Sequence, residues 1–261
     1  MLAATALAAT AVVFPAQTAS AHTCAGTEVG NYFAGRADFV SASSYGGVSS
    51  LITVRTASYC GHPGTTTSGN FYSGWAMLTD NSASSLGLRY AQSGFDRTVG
   101  GPLASPYPRQ FAQASFLSPF GPIVVSNFTQ DQAFAGSSYT YWTKYDLLCN
   151  CLKMGFGNTQ LLETSWSPFD YWFEPFRPEF LTEMGDYHNS APGGSSNNTR
   201  FNQLKLLQAG TWSYWTPGNP GLSAIADDDP PTGPDWAITT ATNTCGSSTY
   251  YCFGVYNNGS S

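Results

Sequence analysis

Segments in which apolar and polar residues alternate recur along this chain, each closed off by Gly, Pro, Asn or Ser, and that pattern excludes most folds. Val48 to Thr56, Gly74 to Asp80, Leu86 to Phe95, Ile123 to Thr129, Ser138 to Tyr145, Glu179 to Met184, Phe201 to Gln208 and Gly210 to Trp215 all keep the two-residue period of a strand. Outside the N-terminal run, no window of a dozen residues holds apolar groups at helical spacing without an interrupting Gly or Pro, so helix is expected to be scarce. Many short strands with antiparallel connections predict an all-β, single-domain antiparallel β-sandwich or jelly roll. The stretch 217–235 carries five prolines and is read as a loop excursion before a last strand at Trp236 to Thr240.

Composition narrows the partners. Of 261 residues, 42% are hydrophobic and 10% charged, which supplies a core and excludes a charge-rich disordered chain. Sixteen acidic residues against ten basic ones, a net charge of −6 and only three lysines argue against nucleic acid or an anionic membrane as partner.

Leu2 to Phe14 is an apolar run, and Ala19-Ser20-Ala21 is a small-x-small site for cleavage before His22. Residues 1–21 are therefore read as a secretory signal peptide and 22–261 as a secreted β-sandwich domain, expected to be a monomer. No later stretch approaches 18 apolar residues, so no membrane span is expected.

Six cysteines suit an exported, disulfide-containing chain. Pairing Cys24 with Cys60 and Cys245 with Cys252 leaves Cys149 and Cys151 to each other across one residue, an awkward span. The histidines at 22, 62 and 188 are scattered, so zinc is not expected. Asp227-Asp228-Asp229 reads either as hard oxygen ligands for calcium or as a solvated acidic turn. Serine-hydrolase elbow, zincin, phosphate-loop and dinucleotide motifs are all absent.

Two polar positions stand out in the strand patterns. Alternation puts Leu86, Leu88, Tyr90 and Gln92 on one face, and Glu179, Leu181 and Glu183 on one face of the later strand. Two readings stand side by side: both side chains lie on a solvated face, or they lie in a partly dry groove where desolvation raises the Glu183 pKa toward acid–base use.

The order of features resembles the eqolisin-type glutamic endopeptidases. Tyr32-Phe33-Ala34-Gly35, the strand at Val48, the strand with Trp75, Ala91-Gln92-Ser93-Gly94 and Glu179-Phe180-Leu181-Thr182-Glu183 follow that family's sequence of motifs, whereas Phe111 to Phe116 stands in place of its aromatic-acidic strand without the carboxylate. The resemblance implies a concanavalin A-like sandwich that hydrolyses peptide bonds at acidic pH, with protein or peptide as substrate and no metal or cofactor. It implies Glu183 and Gln92 as the catalytic pair, Trp75 as a neighbouring wall and Tyr90 beside it for substrate binding. Ionised Glu183 would take a proton from water while the Gln92 amide donates to the oxyanion. Tyr139 to Thr143 also resembles the neprosin-type prolyl peptidases, which use two glutamates.

The competing reading is a non-catalytic, lectin-like sandwich whose partner is a polysaccharide. Tyr139, Tyr141, Trp142 and Tyr145, the stretch Trp166 to Phe176, and Trp212, Tyr214 and Trp215 offer rings for stacking on sugar faces, or else for packing the core.

Overall fold

The computed structural model describes residues 32–37, 45–57, 70–80, 89–99, 104–118, 120–170, 172, 176–184, 193, 197–216, 223–227, 236–239 and 250–257. The expected signal peptide, the histidines, Cys24, Cys60, Cys245, Asp228, Asp229, Leu86 and Leu88 lie outside the described residues. Among the described residues the regular structure is fifteen strands and one 3-10 turn at Pro168–Asp170.

In chain order the strands are β1 (Tyr32–Ala37), β2 (Gly47–Thr53), β3 (Asn70–Asp80), β4 (Tyr90–Val99) and β5 (Arg109–Ser118). There follow β6 (Gly121–Gln132), β7 (Ser138–Asp146), β8 (Cys151–Phe156), β9 (Thr159–Glu163) and β10 (Phe176–Met184). The last are β11 (Thr199–Gln208), β12 (Thr211–Tyr214), β13 (Ser223–Asp227), β14 (Trp236–Ile238) and β15 (Phe253–Asn257).

Seven strands form one antiparallel sheet in the order β13-β1-β10-β3-β4-β5-β6, and a second runs β14-β15-β11-β2-β7-β8-β9 with β12 paired to β11. The inward residues of both sheets make one core. Tyr72, Ala76, Leu78, Phe95 and Phe180 come from the first sheet, and Val48, Ile52, Tyr141, Leu152, Met154, Phe201 and Leu206 from the second. Each fully buried large side chain contributes about 2–3 kcal/mol. Direct bonds also join the layers, from Ser93 Oγ to the Trp142 carbonyl at 2.9 Å and from Thr143 Oγ1 to the Ala76 carbonyl at 3.2 Å. The fold is thus the two-sheet antiparallel β-sandwich expected from the alternation.

Several details differ from that expectation. β13 falls inside the 217–235 excursion, but it is a Pro-free segment at the sheet edge, where only β1 pairs with it. β15, rather than Trp236 to Thr240, is the last strand, and it lies between β14 and β11. Cys149 and Cys151 are bridged with their Cα atoms 5.2 Å apart. The span is reached because Asn150 takes a left-handed backbone (φ 52°) at the β7–β8 turn, a conformation Asn tolerates. Cys252 is also disulfide-bonded, and among the described residues no cysteine is free. Tyr141 and Trp215, two of the rings considered for stacking, are fully buried; Trp215 packs on Tyr45 and Phe180. Among the described residues, no helix is long and apolar enough to cross a membrane.

Candidate active site

β3, β4, β5 and β10 are buried on both faces, and the outward faces carry the polar groups. Phe180 and Thr182 turn inward, so Glu179, Leu181 and Glu183 project from the other side of β10. The register aligns them in rows across the sheet. Glu183 stands opposite Ser73, which stands opposite Asp96 and then Arg109. The next row is Leu181, Trp75, Gly94 and Phe111; the next Glu179, Met77, Gln92 and Gln113; the last Arg177, Thr79, Tyr90 and Ser115.

Trp75, Met77, Leu181 and Phe111 form a small apolar cluster of their own on this face, with Trp75 and Phe111 edge to face at 6.4 Å. Gly94 lies between them. A Cβ there would stand 2.0 Å from the Gly74 carbonyl oxygen and 2.8 Å from Trp75 Cα, so the strands approach closely only because position 94 has no side chain. Gly94→Ala is expected to lower unfolding stability by about 3 kcal/mol, the upper range for overpacking, measured by urea denaturation. A change below about 0.5 kcal/mol would contradict this reading of the close approach.

Three carboxyls share the face and differ in company. Glu179 Oε1 accepts from Arg177 Nε at 2.7 Å and from Thr79 Oγ1 at 3.0 Å. Arg177 Nη2 lies 2.6 Å from the same oxygen. Burial raises the Glu179 pKa, and Arg177 and Thr79 oppose that rise. Asp96 accepts from Thr98 Oγ1 at 3.0 Å and has Arg109 Nη2 at 3.7 Å; burial outweighs both and pushes its carboxyl up to about 6. Glu183, 9% exposed, has neither cation nor hydrogen-bond donor among the described residues. Burial first, and the Asp96 charge second, push it up to about 8.

Gln92 and Tyr90 belong to one polar network. Gln92 Nε2 and the Tyr90 hydroxyl both donate to Gln113 Oε1, at 2.9 and 2.7 Å, and Gln113 Nε2 donates to Ser126 Oγ at 2.9 Å. Burial first, and the charge of Glu183 second, raise the Tyr90 pKa.

Glu183, Gln92, Trp75 and Tyr90 therefore project from one face. Glu183 and Gln92 do not share a row: two strand spacings and four residues separate them, a Cα distance of about 16 Å from ordinary sheet spacings. Asp96 is in the Glu183 row, about 10 Å away on the same spacings. Sequence reading missed Asp96, Gln113 and the Arg177–Glu179 pair. The available signal was that Asp96 continues the same-face series Tyr90, Gln92, Gly94. Among the described residues, the one cluster with metal-ligand proximity is Cys149, Cys151 and Glu163, and its two sulfurs are joined in the disulfide.

No protein-family model matches the sequence, and no curated protein matches it. Solved structures with a similar arrangement include LamAcat from Zobellia galactanivorans, 11% identical over 55% of this chain and 55% of that one, with a TM-score of 0.37. A mixed linkage glucan GH16 protein of Bacteroides ovatus, in complex with product, is 12% identical over 61% of this chain and 70% of its own, with a TM-score of 0.36. The catalytic domain of an endo-1,3-beta-glucanase (laminarinase) from Thermotoga petrophila is 10% identical over 55% and 54%, with a TM-score of 0.33. The chain spans about half the length of LamAcat.

Proposed function

We propose that the chain is a metal-independent endopeptidase in which Glu183 and Asp96, on the outer face of the seven-stranded sheet, carry the proton transfers in place of the Glu183–Gln92 pair implied by the resemblance. The observation that carries this reading is Glu183, a buried carboxyl with no cation or donor among the described residues, in the same row as a second carboxyl. A structural role gives no reason to keep an uncompensated acid there, whereas proton transfer does.

The pKa values change the order of events implied by the resemblance. With its proton held up to about pH 8, resting Glu183 acts first as an acid toward the leaving nitrogen. Asp96, ionised above about 6, takes the proton of the attacking water. Among the described residues Gln92 has one N–H engaged by Gln113, which leaves its second N–H and its carbonyl as further polar groups on the same face. Trp75, 1% exposed, is a wall rather than a stacking surface.

The active form, with Glu183 protonated and Asp96 ionised, is populated between about pH 6 and 8, above the acidic range expected from the resemblance. Asp96→Asn is expected to remove the acid limb of the pH–rate profile and lower cleavage by about 100-fold or more. Digestion of a denatured protein at pH 4 to 10, with a chelator present, measures both. Cleavage that needs added metal, or an unchanged acid limb in the variant, would overturn the assignment.

Polysaccharide is the second reading of the substrate, favoured by the same carboxyl pair. Glycoside hydrolysis also uses one protonated and one ionised carboxyl facing each other. A parallel digestion of β-glucan, read as released reducing ends, separates the two: sugar release without protein cleavage would move the assignment to glycans.

A further inference from the structure

The opposite side of the sandwich carries a second feature that the reaction does not use. The chain contains three lysines, at 144, 153 and 205, and all three project from the outer face of the second sheet. Their neighbours Thr143, Leu152, Met154, Leu204 and Leu206 turn into the core, which fixes the direction of each. Lys144 and Lys153 are cross-strand partners, and Lys205 pairs with Ser49, one row over. An acidic chain thus gathers all its ammonium groups on one sheet face.

A groove runs between them. Ser49, Trp142, Lys144, Lys205 and Trp212 line a cavity of about 310 Å³. Small residues make its floor: a Cβ at Gly47 would stand 3.0 Å from each of Trp212 Cη2, Lys144 Cβ and Leu207 Cβ. Trp142 is held in place by its Nε1 donating to the Gly157 carbonyl at 3.0 Å. Across the floor, β12 is exposed at all four positions, with Trp212 at 39% and Tyr214 at 42%. A strand that buries none of its rings in the core presents them for contact.

The lysines differ in availability. Lys153 is held by Asp146 at 3.0 Å and Glu163 at 3.6 Å, and Lys144 reaches Asp146 only at 4.0 Å. Lys205 lies 4.8 Å over the Tyr214 ring, with no carboxylate partner among the described residues.

We propose that this groove binds an anionic polysaccharide, with sugar rings stacked on Trp142 and Trp212 and the acidic groups met by Lys205 and Lys144. Flat apolar ring faces alternating with single negative charges match rings spaced by ammonium groups. Single-stranded nucleic acid shares the two chemistries but offers planar bases rather than sugar faces, and it enters the test as the competing polyanion. The site is on the far side of both sheets from Glu183, so it serves attachment and does not depend on the reaction assigned there.

Affinity electrophoresis through gels containing polygalacturonate, dextran sulfate, uncharged dextran, single-stranded DNA or no polymer tests the proposal, with circular dichroism to verify folding of each variant. Retardation by polygalacturonate or by dextran sulfate, weakened by salt, is the expected result, and the two arms tell carboxylated from sulfated sugars. Lys205→Gln and Trp212→Ala should each weaken it about tenfold, while Lys153→Gln, whose ammonium is already engaged, should change it less than twofold. Equal retardation by uncharged dextran, equal binding of single-stranded DNA, no retardation by either acidic polymer, or folded Lys205→Gln and Trp212→Ala variants that bind like the parent would overturn it.

Discussion

Glu183→Gln is expected to stabilise the fold at neutral and alkaline pH while lowering hydrolysis by about 1,000-fold, within the range that acid–base groups contribute. The sign follows from linkage. The unfolded carboxyl titrates near 4.5 and the folded one near 8, so between these values the folded state binds the extra proton and loses stability as pH rises. At pH 7 the penalty is on the order of 3 kcal/mol, and at pH 4.5 it is near zero. Glutamine keeps the shape and removes the charge. Urea denaturation of parent and variant at pH 4.5, 7 and 9 should therefore show a gain that grows with pH. A variant less stable than the parent at pH 9 would mean that Glu183 is compensated in the folded chain.

Arg177→Met is expected to produce the opposite effect and a large one, a loss of about 3–5 kcal/mol, as for other buried pairs broken on one side. Glu179 is 3% exposed, and Arg177 supplies its only cation among the described residues. Without the guanidinium, burial raises the Glu179 carboxyl unopposed except by Thr79, and the loss should deepen as pH rises. The double variant Arg177→Met with Glu179→Gln should recover most of the stability, because no charge is then left buried. Thermal unfolding of the three proteins at pH 7 distinguishes the outcomes, and a double variant as unstable as the single one would assign the loss to packing of the arginine stem.

These contrasts explain what could be read from the sequence. Alternation identified β2, β7 and β11 because one face of each is apolar and the other polar. It also placed Gln92 with Tyr90, and Glu183 with Glu179, since same-face membership depends only on spacing within a strand. The partners across strands were hidden, because register is set by turns and core packing elsewhere in the chain. Asp96 could not be assigned to Glu183, nor Gln113 to Gln92, without knowing that β3 lies between β10 and β4. β13 was missed because five clean residues, Ser223 to Asp227, sit among prolines and read as loop. The Cys149–Cys151 bridge looked awkward on the assumption of extended backbone, which the left-handed Asn150 removes.

Acid catalysis by Glu183 requires that it hold its proton through neutral pH under the influence of Asp96. Site-resolved titration of the folded chain, with carbon-13 in the glutamate side chains and Glu183→Gln to assign the signal, measures this directly. The Glu183 carboxyl is expected to titrate near pH 8 and to shift downward in Asp96→Asn. Titration near 4.5 with no response to Asp96→Asn would contradict it.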